Sequence, residues 1–156
     1  MRNPTAIGAL PPAASRGAQE CSVLGTLALV GDFWALGILR SLLHGLTRFA
    51  QLQRELGVAS NVLTDRLNRL VDAEVVERVP YGPTGSRFRY ELTAAGRDLA
   101  PAVLALKRWG DRHLPHDGPP SVWRHAGCTS PAEVQVRCPD CDRPVGLPEM
   151  EAVEHR

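Results

Sequence analysis

The sequence predicts a mainly α-helical fold carrying one small β-hairpin, on three observations. Apolar residues recur at helical spacing in successive runs between Val23 and Val71. Two short β-prone runs, Val75 to Val79 and Phe88 to Leu92, flank a glycine-bearing segment, and a last helical run extends to His113.

The elements follow in order. Residues 1–20 are rich in Ala, Gly and Pro without periodicity and read as a mobile N-terminal arm. From Cys21, the run Val23, Leu24, Leu27 and Val30 forms a helix that stops at Gly31. Asp32 then caps a second helix through Trp34, Leu36, Leu39, Leu42 and Leu43, which Gly45 closes. Phe49, Leu52 and Leu56 make a short third helix. After a turn at Gly57-Val58, Ser60 is the expected N-cap of a fourth helix with Leu63, Leu67, Leu70 and Val71 inward. The hairpin tip is Tyr81-Gly82-Pro83-Thr84-Gly85-Ser86. Thr93 is expected to cap one long helix through Leu99, Val103, Leu106 and Trp109, kinked by Pro101. Leu104 faces away from its main stripe, a second apolar surface that suggests a partner.

This order is that of a winged helix-turn-helix over residues 21–113, in which the second helix of the turn motif enters the major groove and the hairpin lies beside the phosphate backbone. Charge is compatible with that: residues 21–113 carry twelve basic and nine acidic side chains, whereas residues 114–156 carry four and seven. The middle is thus net +3 and the tail net −3, so a polyanion partner belongs to the middle. With 44% hydrophobic and 22% charged residues over 156, the composition excludes wholesale disorder, collagen and a large catalytic fold. No apolar run reaches a membrane span and no secretory signal is evident, so the expected location is the cytoplasm, where cysteines remain thiols or bind metal.

On a wheel of the fourth helix, Leu67 and Leu70 fall within about 40° of Leu63, while Asn61, Asp65, Asn68 and Arg69 fall opposite. Amides suit adenine and guanidinium suits guanine, so these four are the base-reading candidates; alone, the same face would be ordinary solvated surface. Thr47, Arg48 and Ser60 are placed at helix starts for phosphate contact. Strand alternation sets Arg87 and Arg89 on one wing face and Phe88 and Tyr90 inward on the other. Arg66, flanking the buried stripe, is expected to serve structure through an ion pair.

A set of ordered motifs carries a resemblance to a known family. These are Cys21-Ser22-Val23, Gly31-Asp32-Phe33-Trp34, Ile38-Leu39-Arg40, Arg48-Phe49-Ala50-Gln51-Leu52 and Leu63-Thr64-Asp65-Arg66-Leu67. Glu77-Arg78, Tyr81, Arg87-Phe88-Arg89-Tyr90-Glu91-Leu92-Thr93, Gly96 and Trp109 complete the set. Together they resemble the HxlR-type family of bacterial winged-helix transcription regulators. The resemblance implies a homodimer on an operator in double-stranded DNA, an interface built from the first and last helices, and often a thiol or small-molecule switch. The sequence departs from the family at Gly85-Ser86, where prolines are usual, and at Arg89, where an acidic residue is common.

Cys21, at the start of the first helix, matches the position where family members often carry a sensing thiol; a buried, inert cysteine is the alternative. In the tail, His125-Ala-Gly-Cys128 is followed by Cys138-Pro-Asp-Cys141. Two pairs of this spacing supply three thiolates and one imidazole, the ligand count of one structural Zn²⁺. The other tail readings are a metal-free mobile segment and a dithiol enzyme; Asp142 to Pro148 breaks the helix the latter needs. The expected function is a DNA-binding transcription regulator, a dimeric repressor of unknown effector and no enzyme. The alternative is a redox- or metal-responsive protein-interaction module that uses the winged helix without DNA.

Overall fold

The computed structural model describes residues 21–83, 85–115, 117–118 and 121–153; the N-terminal arm lies outside them. The chain divides after Val103 into two compact units. The first contains α1 (Ser22–Val30), α2 (Phe33–Leu43), α3 (Phe49–Leu56), α4 (Ser60–Asp72), β1 (Val76–Tyr81), β2 (Arg87–Leu92), α5 (Ala94–Arg97) and the first residues of α6 (Ala100–His113). The second contains the rest of α6 and the tail, with a 3₁₀ turn at Leu147–Glu149. No single helix among the described residues is long and apolar enough to cross a membrane.

The core of the first unit draws Ile38 and Leu39 from α2, Leu52 from α3, Leu63, Leu67 and Leu70 from α4, and Val76, Tyr90 and Leu92 from the hairpin. Leu63, Leu67 and Leu70 recur at the i, i+4, i+7 spacing of one helix face, which sets the roll of α4 and leaves its opposite face to solvent. Removing one such buried leucine typically costs about 2–5 kcal/mol against about 1 for an N-cap, so burial rather than capping decides that roll.

Local chemistry places the ends. Asp32 Oδ1 accepts the Trp34 and Ala35 N–H groups at 3.0 and 3.1 Å, capping α2. Gly57 takes φ 61°, the left-handed C-cap of α3 that opens the turn into α4. Ala59, with extended backbone, is the N-cap of α4, so Ser60 is its first helical residue instead of the cap; its hydroxyl accepts from Gln53 Nε2 at 2.7 Å.

Thr93 caps a helix of one turn only. Its hydroxyl accepts the Gly96 N–H at 3.1 Å and donates to the Glu74 carbonyl at 2.6 Å. The expected single long helix is therefore two, broken at Asp98-Leu99, and Pro101 sits in the first turn of α6, where its missing N–H disrupts no bond. The physical reason is contact: a Cβ on Gly96 would stand 2.1 Å from the Val75 carbonyl oxygen, so the short α5 lies directly against the start of the hairpin.

The hairpin pairs Val76 with Leu92 through Tyr81 with Arg87. The Tyr90 N–H donates to the Thr47 carbonyl at 2.7 Å and Arg48 bridges Arg89, so the chain entering α3 acts as a third short strand. Tyr90 and Leu92 are buried, but Phe88 is 49% exposed. The inward placement expected for Phe88 fails because the hairpin tip extends past the helices that cover its root.

A candidate nucleic-acid interface

Helices α3 and α4, joined through Gly57, Val58 and Ala59, form the helix-turn-helix. On α4, Asn61, Thr64, Asp65 and Asn68 are all exposed and follow the i, i+3, i+4, i+7 spacing, so they share one stripe opposite the core leucines. Thr64 was not singled out in the sequence, although the same wheel puts it about 40° from Asn68, at the edge of that stripe; its short hydroxyl gave no charge or amide signal.

Arg69 departs from the outward face expected for it. It is half-buried, and its Nη2 lies 3.4 Å from the Ala28 carbonyl near the end of α1. Arg66 turns back too: its Nε donates to Asp32 Oδ1 at 3.1 Å and it pairs with Asp65. Burial pulls the Arg66 guanidinium down, but its hydrogen bond and attraction to Asp32, with Asp65 added, outweigh this and raise it above the ordinary arginine value. Asp32 thereby caps α2 and tethers α4 with the same carboxylate.

Asn68 accepts from Arg78 of β1, whose guanidinium also lies 5.9 Å from the Tyr90 ring centre. This ties the middle of α4 to the wing root. On the other face of the wing, the register sets Val79, Tyr81, Arg87 and Arg89 together with Arg48 from the bridging segment. The Arg48 guanidinium sits 5.3 Å from the Tyr81 ring centre, a cation–π contact that holds it at the wing. Arg89 is partly neutralised by Glu91 at 2.5 Å, whereas Arg87 makes no ion pair among the described residues. Thr47 commits its carbonyl to Tyr90 and stands at the same junction. An amide- and hydroxyl-bearing stripe for base edges thus lies on one element and a basic face for phosphates on the next.

Cys21 is exposed at the N-cap position of α1 rather than buried. Beside it on α1, Val23, Leu24 and Leu27 are 66%, 47% and 53% exposed, an apolar face left uncovered among the described residues. In the second unit Leu104 is half-buried, while Leu106 and Trp109 are exposed, with Trp109 against His113. Of the tail residues, His125 Nδ1 and Cys128 Sγ are 3.3 Å apart. The Cys138 thiol is held below its ordinary value by the backbone N–H of Cys141, then by that of Asp140 and by the Cys141 thiol. Among the described residues no three His, Cys, Asp or Glu side chains gather into one metal-sized group, so the two pairs are each formed but not joined.

The helix-turn-helix, the polar stripe on α4 and the basic wing define a DNA-binding transcription regulator of the winged-helix class. The chain belongs to the HxlR-like helix-turn-helix family, whose model matches residues 29–118. It is 44% identical over 121 residues, 77% of each chain, to an HTH-type transcriptional regulator of Mycobacterium tuberculosis, Rv3095. Among solved structures it resembles PA1607, a transcription factor, with TM-score 0.77 and 33% identity over 86% of this chain and 95% of that one. The oxidized form of the redox regulator HypR matches with TM-score 0.57 and 30% identity over 62% of this chain and 100% of its own. A match over 86% of 156 residues is about 134 residues, more than residues 1–113 contain, so the likeness to PA1607 runs into the tail.

Proposed function

We propose that the protein is a cytoplasmic homodimeric repressor without enzymatic activity, which reads a palindromic operator with paired α4 helices and releases it when Cys21 is modified. The observation that carries this reading is the exposed stripe Asn61, Thr64, Asp65 and Asn68 on α4 together with the basic wing face of Arg48, Arg87 and Arg89. One such helix reads few base pairs, and doubling it across a two-fold axis supplies the missing specificity. The uncovered α1 face of Val23, Leu24 and Leu27 is the surface for a second copy. Ser60 and Thr47 contact phosphate at the ends of the motif, and Arg69, held at Ala28, supports the seating of α4.

Cys21 is exposed and adjoins that apolar face, so a bulky or charged adduct there would disturb pairing of the two copies. The redox regulator HypR, similar in fold and sequence, supports a thiol input.

The test combines selection of bound duplexes with affinity measured against salt. Asn68→Ala is expected to relax base preference at one position, by about 1–3 kcal/mol of discrimination. Arg87→Ala should weaken every duplex alike and lower the salt slope by about one. Diamide should release DNA from the parent and not from Cys21→Ser. An unaltered selection profile in Asn68→Ala, or equal diamide sensitivity in both proteins, would overturn the corresponding assignment.

A further inference from the structure

The tail is built from two successive closed loops. In the first, the Ala132 N–H donates to the Trp123 carbonyl at 2.7 Å, and within it the Cys128 N–H donates to the His125 carbonyl at 3.0 Å. Gly127 at φ 84° makes the turn that brings His125 Nδ1 to 3.3 Å from Cys128 Sγ. In the second loop, Val145 donates to Val136, Cys138 to Arg143 and Asp142 to Cys138, all backbone bonds of 2.9–3.0 Å. Asp142 at φ 54° closes that turn, which carries Cys138 and Cys141 three residues apart.

No described residue between 121 and 153 is buried. Ordered turns without an apolar core require another source of stability, and in small units that source is a disulfide or a metal. The donor geometry favours metal. In a tetrahedral Zn²⁺ shell with Zn–S of about 2.3 Å and Zn–N of about 2.0 Å, adjacent ligand atoms stand about 3.6 Å apart. The His125–Cys128 separation of 3.3 Å is already close to one edge of that tetrahedron. The Cys138-Pro139-Asp140-Cys141 turn, closed by the Asp142 N–H on the Cys138 carbonyl at 2.9 Å, offers the second pair of ligands. The two pairs are not gathered into one group, so joining them is the work left to the ion.

We propose that the tail binds one Zn²⁺ per chain through His125 Nδ1 and the sulfurs of Cys128, Cys138 and Cys141, and that the metal draws the two loops together. Binding displaces the three thiol protons to solvent, and three thiolates with a neutral imidazole leave the site at net −1. Arg137 and Arg143 flank the second turn, each already paired with a carboxylate, Asp142 and Glu149. All four positions are filled by protein, so the metal is structural and offers no open position for catalysis. The assignment is independent of how α4 reads DNA.

The full chain, purified without added metal, is analysed for zinc, then stripped and titrated with Co²⁺. The expected result is one equivalent per chain, with the intense visible bands of a tetrahedral thiolate site. Cys128→Ser and Cys138→Ser should each lose that equivalent, Cys21→Ser should keep it, and His125→Cys should keep it with a more thiolate-rich spectrum. Metal removal should speed amide exchange across residues 121–153 and leave residues 22–92 protected, which separates loss of the site from loss of the fold. Zinc well below one equivalent, half an equivalent bridging two chains, undiminished metal in Cys138→Ser, or a Cys138–Cys141 disulfide in the purified protein would each overturn the proposal.

Discussion

Asp32 concentrates two functions in one carboxylate. It caps α2 through the Trp34 and Ala35 amides and receives Arg66 Nε from α4 at 3.1 Å. Asp32→Ala removes both and is expected to cost about 1–2 kcal/mol in urea unfolding, most of it from the cap, because both partners of the ion pair are partly exposed. Asp32→Asn keeps a cap oxygen and loses only the charge, so its cost should stay under about 1 kcal/mol. Because Arg66 is raised, its contribution is fully present below the ordinary arginine value and fades only as pH climbs through the raised one. The difference between parent and Asp32→Asn should accordingly be flat from about pH 6 to about pH 10; a marked slope there would remove the assigned pair. The Asp32 cap was legible in the sequence because capping joins residues two or three apart. Its second partner was not, since nothing local marks Arg66 as the group that reaches it.

At the scale of elements, periodicity located every helix of the helix-turn-helix and both wing strands, with ends displaced by one or two residues. The error of substance was the last helix. Thr93, Leu99, Val103 and Leu106 satisfy one continuous helical pattern, yet Gly96 packs against the Val75 carbonyl and the chain breaks before Ala100. Pro101 follows the break and kinks nothing. Pro101→Ala is therefore expected to change stability by less than about 0.5 kcal/mol, where a proline inside a helix would give a gain of about 3 on removal. Denaturant unfolding of the two proteins decides between them. The wing shows a similar limit: alternation put Phe88 inward with Tyr90, but a strand outrunning its covering helices exposes both faces at the tip.

For the whole molecule, the uncovered face of α1 decides the expected assembly. Leu27 is 53% exposed and lies in a helix whose only buried residue is Val30, so Leu27→Glu should leave the folded core intact. In the proposed homodimer it would place a charge inside an apolar contact. Sedimentation should show a shift to monomer, and operator affinity should fall by tenfold or more, about 1.4 kcal/mol. A variant that stays dimeric with unchanged DNA binding would move the interface elsewhere.

What the sequence by itself determined is the set of relations that act over a few residues: helical and strand periods, the caps, the glycine turns, the order of elements and hence the winged helix, and the HxlR-type motifs that ride on it. The polar stripe of Asn61, Asp65 and Asn68 belongs here too, because a buried leucine row fixes which side of the same helix is wet. What only the tertiary structure decided are contacts between distant residues. Arg69 meets Ala28 across 41 positions and Arg66 meets Asp32 across 34, so two cations on one helix serve its seating. Arg48 bridges Arg89 and stacks on Tyr81, which gathers the basic wing face from three separate segments. The reason is physical: local patterns specify which face of an element is apolar, whereas the reach of a long side chain is set by where packing brings another element's polar atoms within hydrogen-bond distance.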